Sequence, residues 1–126
     1  MMMWLLAGLG LYLFQIYLPT TLYLPAEGIM NHLGGRDALP EPSKWVGRSR
    51  RALANMQENL PIFVTLGLLG LVVPGANLEL ATQGAAVFVV ARVLYLPAYL
   101  FALTGVRSAF YLVALGGLGA MLAALV

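Results

Sequence analysis

Four stretches of the chain stay apolar long enough to cross a bilayer, and the segments between them are short or broken by proline and glycine. A span of the ~30 Å hydrocarbon layer takes about 20 mostly apolar residues in a helix. The first such stretch covers about residues 3–24, with Pro19 and Pro25 bracketing its end. A connection over 27–47 follows, whose Gly34, Gly35, Pro40 and Pro42 favour turns over a packed helix. The second helix, about 48–73, opens with Arg48, Arg50, Arg51, Asn55, Glu58 and Asn59 and is apolar only from Leu60. Its first half must therefore face protein or water. Pro74 and Gly75 end it, and Asn77 is placed to cap a third helix over 78–103. Thr104 and Gly105 mark a tight break before a fourth helix over 108–126. There Gly116, Gly117, Gly119 and Ala120 would let a neighbouring helix approach closely. The pattern predicts one all-α domain over residues 1–126, an integral membrane four-helix bundle.

Composition agrees with lipid as the missing solvent. Of 126 residues, 61% are apolar and 10% charged, too little polar surface to cover a water-soluble domain of this size. The net charge of +2 is too small, and its basic residues too confined, to build a nucleic-acid surface. With no cysteine and His32 the only histidine, neither a disulfide nor a metal centre is expected. The first apolar stretch has no basic leader and no small-residue cleavage site, so it reads as a retained helix rather than a secretion signal.

Charge sets orientation. Arg36, Lys44, Arg48, Arg50 and Arg51 all belong to the first connection and its edge, Arg107 sits at the third, and the second connection carries only Glu79. By the positive-inside rule, loops 27–47 and 104–107 face the cytoplasm and both termini the opposite side. Lys44, Arg48 and Arg50 then serve as headgroup anchors and topology signals. Tyr12, Tyr17 and Tyr23 read as interface or packing residues, and His32 as an exposed loop residue.

Arg92 is the most informative position, falling inside a helix otherwise made of Ala, Val, Phe, Leu and Tyr. An unpaired arginine at that depth costs ~2.5 to 3.5 kcal/mol, which demands an inward orientation and a partner. Glu58 is the one acid within another span, and at ~1.5 Å per residue its depth matches that of Arg92. A Glu58–Arg92 ion pair is predicted, as a structural tie. At about 100° per residue, Arg51, Asn55 and Glu58 share one sector of the second helix; Arg92, Tyr95 and Tyr99 share one of the third. Two inward polar stripes of this kind suit a small zwitterionic or anionic ligand.

The strings RALANMQENLP at 51–61 and ARVLYLPAYL at 91–100 resemble the MAPEG family, membrane-associated proteins of eicosanoid and glutathione metabolism, and a bacterial-type member in particular. The resemblance runs over nearly the whole chain. It implies a homotrimer with glutathione bound between neighbouring subunits and a hydrophobic small-molecule substrate entering from the lipid bilayer. Carried over position by position, Arg51, Asn55 and Glu58 would hold the peptide part of glutathione, with Glu58 also meeting Arg92. Tyr95 and Tyr99 would line the site. Arg107 and Ser108 resemble the Arg-Ser pair that opens the last helix, where the arginine would sit beside the sulfur as the catalytic group. A guanidinium there favours thiolate over thiol and readies the nucleophile. The sequence departs from leading members at Asn59, where an eicosanoid-synthesising relative has tyrosine, and in a Tyr99-to-Arg107 spacing one residue shorter than in a prostaglandin-synthesising one. The implied activity is a glutathione-dependent transferase or peroxidase. Two other readings stand beside it: a non-catalytic lipid-binding or accessory subunit, and a small proton-coupled exporter, disfavoured because Arg92 would keep its acid ionised.

Overall fold

The computed structural model describes residues 1–35 and 39–126, so Arg36 lies outside the described residues. These form five helices and no strand: α1 (Met2–Glu27), α2 (Ile29–Leu33), α3 (Lys44–Val72), α4 (Leu78–Leu100) and α5 (Thr104–Ala123). Three of them, α1, α4 and α5, are long and apolar enough to cross a membrane. In α3 the polar first half breaks the apolar run.

Several ends differ from expectation, each for a local reason. α1 continues through Pro19 and Pro25 to Glu27. A proline removes one hydrogen bond to the carbonyl four residues back, which a membrane helix tolerates where neighbours re-satisfy the backbone. Part of the segment expected to be loop forms the short α2, and Gly28 makes the corner with φ 80°, a conformation open to glycine at little cost. α3 starts at Lys44, about a turn before the expected residue, because Ser43 caps it, its hydroxyl accepting from Val46 N–H at 3.5 Å. Asn77 caps α4, its Oδ1 accepting from Leu80 N–H at 3.0 Å. Thr104 and Gly105 are helical rather than a break. The turn is made earlier by Ala102, the one non-glycine residue with positive φ among the described residues (55°). Leu103 N–H reaches back to Ala98 C=O at 2.9 Å and Ala102 N–H to Tyr99 C=O at 3.1 Å, the paired bonds of a left-handed helix stop.

Helices in lipid gain little from hydrophobic burial and are held by close packing. Glycines supply the hollows. Phe63 of α3 fills the space over Gly8 of α1, and Leu5 of α1 the space over Gly67 of α3. Phe63 also stacks on Phe88 of α4, with ring centroids 4.5 Å apart and 16° between planes. Gly84 of α4 and Gly117 of α5 lie back to back: a Cβ on either would come within 2.6 Å of the other's carbonyl oxygen. At the far end of this pair, Asn77 N–H donates to Ala124 C=O at 2.8 Å, so α4 and α5 form a hairpin closed at both ends.

Polar groups collect at the opposite end of α1. Glu27 is buried and its Oε2 lies 3.0 Å from Nδ1 of His32, so His32 is a half-buried member of α2 rather than an exposed loop residue. Tyr23 is buried as well, donating its hydroxyl to the Pro40 carbonyl.

Candidate active site

Arg92 is fully buried, at 0% exposure, on the side of α4 that meets α3. Its Nη1 donates to Oδ1 of Asn55 at 2.6 Å, and its guanidinium carbon stands 4.5 Å from the centre of the Tyr95 ring. Nε and Nη2 have no hydrogen-bond partner among the described residues. The expected ion pair with Glu58 is not formed within the chain. Glu58 is exposed, and the one ion pair among the described residues joins Glu27 and His32. The helical period explains the difference. Within the stripe on α3, Asn55 and Glu58 fall on opposite edges, about 60° apart, and the Asn55 edge is the one turned to α4. Matching depth therefore selected the right turn of helix and the wrong side chain.

Beside this bond lies a cleft of about 300 Å³ lined by Asn55, Tyr95, Arg107, Ser108, Tyr111 and Leu112. Asn55 comes from α3, Tyr95 from α4, and the other four from the first three turns of α5. The left-handed stop at Ala102 sends α5 back along α4, which brings Arg107 over the Tyr99 ring, 4.7 Å from its centre. Tyr95 is flanked by Tyr99 and Tyr111, with ring centroids 5.5 and 6.4 Å away. The Ser108 hydroxyl donates to Thr104 C=O at 2.9 Å, so its oxygen keeps a free lone pair.

Of the predicted site residues, Asn55, Tyr95, Arg107 and Ser108 meet in this cleft, with Tyr99 under Arg107 and Arg92 one hydrogen bond behind. Arg51 and Glu58 do not join them; both are exposed on the outer part of the α3 stripe. Tyr111 and Leu112 were not anticipated. The spacing from Arg107 to Tyr111 is four residues, one helical turn, and would have placed the phenol on the same face. Chemically, the cleft offers a guanidinium, a hydroxyl and two phenols at one edge and an amide at the other. That set favours an anion or a polarised leaving group over a cation.

The family model of MAPEG matches residues 1–126. The chain belongs to the MAPEG family. The family includes glutathione-dependent transferases and peroxidases as well as non-catalytic members, and glutathione is commonly used within it. No curated protein matches this MAPEG chain at the level that marks a relative. With three apolar helices and this membership, the protein is an integral membrane protein. Membership, rather than a Glu58–Arg92 pair, is what sets the exporter reading aside.

Proposed function

We propose that the protein is a membrane-bound glutathione-dependent transferase or peroxidase acting on a hydrophobic electrophile or lipid hydroperoxide. The observation that carries the reading is the convergence of Asn55, Tyr95, Arg107, Ser108 and Tyr111 on one cleft within a MAPEG chain. The donor set fits glutathione, whose two carboxylates and thiol all ask for cations or hydrogen-bond donors.

Bound glutathione would supply the nucleophilic sulfur. Arg107, seated over the Tyr99 ring, stabilises negative charge in the cleft without itself losing a proton, because guanidinium stays protonated. Tyr111, one helical turn beyond Ser108 on α5, has its phenol placed to donate to the anion or to a departing oxygen, while Ser108, whose proton goes to Thr104 C=O, offers its oxygen as an acceptor. Asn55 orients the peptide part while Arg92 fixes Asn55. Arg51 and Glu58, exposed on the same stripe, complete the site by facing a neighbouring subunit in a homotrimer, the apolar half of α3 serving as a fourth span. The basic loops lie on the cytoplasmic side, where glutathione is available.

The test is calorimetric titration of detergent-purified protein with glutathione, combined with ultraviolet absorbance of the bound thiolate. Saturable binding as thiolate is expected, with Arg107→Ala losing thiolate and turnover by about 10²-fold while affinity changes much less. Equal loss of affinity and turnover would assign Arg107 to binding alone. A second reading, a non-catalytic lipid-binding subunit, draws on a wholly apolar groove of about 350 Å³ between α4 and α5, lined by residues such as Val87, Leu94 and Phe110. Absence of any glutathione binding to a folded protein would select it.

A further inference from the structure

Away from the cleft, the start of α3, whose Lys44 and Arg48 the sequence marks as headgroup anchors, forms a basic shoulder beside the end of α4. Arg48 Nη1 donates to the Leu100 carbonyl at 2.8 Å, which sets the second turn of α3 level with the end of α4. A helix of 23 residues is about 35 Å long, so the end of α4 falls at the boundary between hydrocarbon and headgroups. At that level Trp45 meets Phe101 edge to face, with centroids 5.5 Å apart and 80° between planes. Both rings reach the surface, Phe101 at 64% exposure. Two cations flank the indole: Lys44 Nζ at 5.5 Å and Arg48 Cζ at 5.6 Å from its centre. Neither cation has a carboxylate within ion-pairing distance among the described residues.

We propose that Lys44, Trp45, Arg48 and Phe101 form a binding site for the phosphate of an anionic phospholipid in the surrounding bilayer. The amphipathic Trp45 ring seats at the interface, and the apolar Phe101 ring packed against it contacts the upper acyl region. Lys44 precedes Trp45 and so lies on its headgroup side, while Arg48 stays level with the end of α4, which leaves both cations within reach of a phosphate beside the indole. Two uncompensated charges there select a net negative headgroup over a zwitterionic one, by about fivefold per cation. The bond to Leu100 holds Arg48 in place before lipid arrives, so little side-chain freedom is lost on binding.

Trp4 and Trp45 are the two tryptophans, and Trp4 lies near the start of α1 at the far end of the bundle. In a Trp4→Phe background Trp45 is therefore a single reporter. The full-length protein, reconstituted in phosphatidylcholine bilayers, is given equal fractions of acyl-brominated phosphatidylglycerol or phosphatidylcholine. Trp45 should be quenched as though the anionic lipid were enriched beside it at least fivefold, and Lys44→Gln should lower that preference roughly fivefold. Lys44 makes no hydrogen bond among the described residues, so this variant tests the charge without disturbing the fold. Equal quenching by the two lipids, or a preference unchanged in Lys44→Gln, overturns the proposal. So does abolition of the preference by soluble glycerol phosphate, which would make the site one for free phosphate rather than membrane lipid.

Discussion

Replacing Asn55 with alanine tests the polar core most directly, because it removes the sole hydrogen bond that Arg92 makes among the described residues. The guanidinium is wholly buried behind Asn55, so the lost contact can be replaced only by water entering from the cleft that Asn55 lines. A hydrogen bond to a charged group is worth about 1.5–3 kcal/mol. In a membrane the unfolded chain also finds partners for its polar groups, which pulls the expected loss toward the lower end, about 1.5 kcal/mol. Asn55→Asp keeps an oxygen facing Arg92 and adds a charge, so it should be at least as stable as the parent. Arg92→Met paired with Asn55→Leu removes both polar partners and should recover most of the loss. The assay is reversible unfolding in mixed micelles by titration with dodecyl sulfate, with glutathione absent so that ligand binding does not enter. A change under about 0.5 kcal/mol for Asn55→Ala, or an Asn55→Asp variant as weak as Asn55→Ala, would refute the account.

The remaining predictions use the same assay. Ala102→Gly should stabilise the fold by about 1 kcal/mol, since the left-handed φ of 55° suits glycine and costs alanine; a loss would mean that the methyl group packs usefully. Gly117→Ala should destabilise by about 1–3 kcal/mol, because the new Cβ would lie 2.8 Å from the Phe88 nitrogen, whereas Gly116→Ala points into open space and should be neutral or slightly stabilising. Equal effects at the two positions would contradict the back-to-back crossing of α4 and α5. Glu58→Gln should change the unfolding of the single subunit by less than about 0.5 kcal/mol, and a loss of several kcal/mol would restore the pairing with Arg92 that the structure lacks.

Much of the site was legible in the sequence because its chemistry is costly in lipid and so stands out. Arg92 declared an inward face and a partner, and Asn55, Tyr95, Arg107 and Ser108 were each marked by their spacing or by resemblance. What was missed falls below the precision of such cues. A difference of 60° around α3 decides between Asn55 and Glu58, and depth arithmetic cannot see it. The turn before α5 is made by Ala102, although the glycine nearby at Gly105 was the stronger signal. Pro19 and Pro25 bracket the end expected of the first helix, yet both lie inside α1, because a membrane helix carries proline where neighbouring groups re-satisfy the freed backbone. Glu27 and His32 could be paired only once α2 was known to fold back.

The closed hairpin of α4 and α5 has a mechanical consequence for the cleft. Tyr95, Arg107, Ser108, Tyr111 and Leu112 all ride on that one unit, locked at one end by the stop at Ala102 and at the other by Asn77 and Ala124. Asn55 alone belongs to a different body. The distances among the lining groups other than Asn55 are thus set by the hairpin, and the cleft can widen or narrow only as α3 slides or tilts against it. Any such movement must strain the bond from Arg92 to Asn55, the bond from Arg48 to Leu100 and the stack of Phe63 on Phe88, so these three contacts together govern how far the cleft can open.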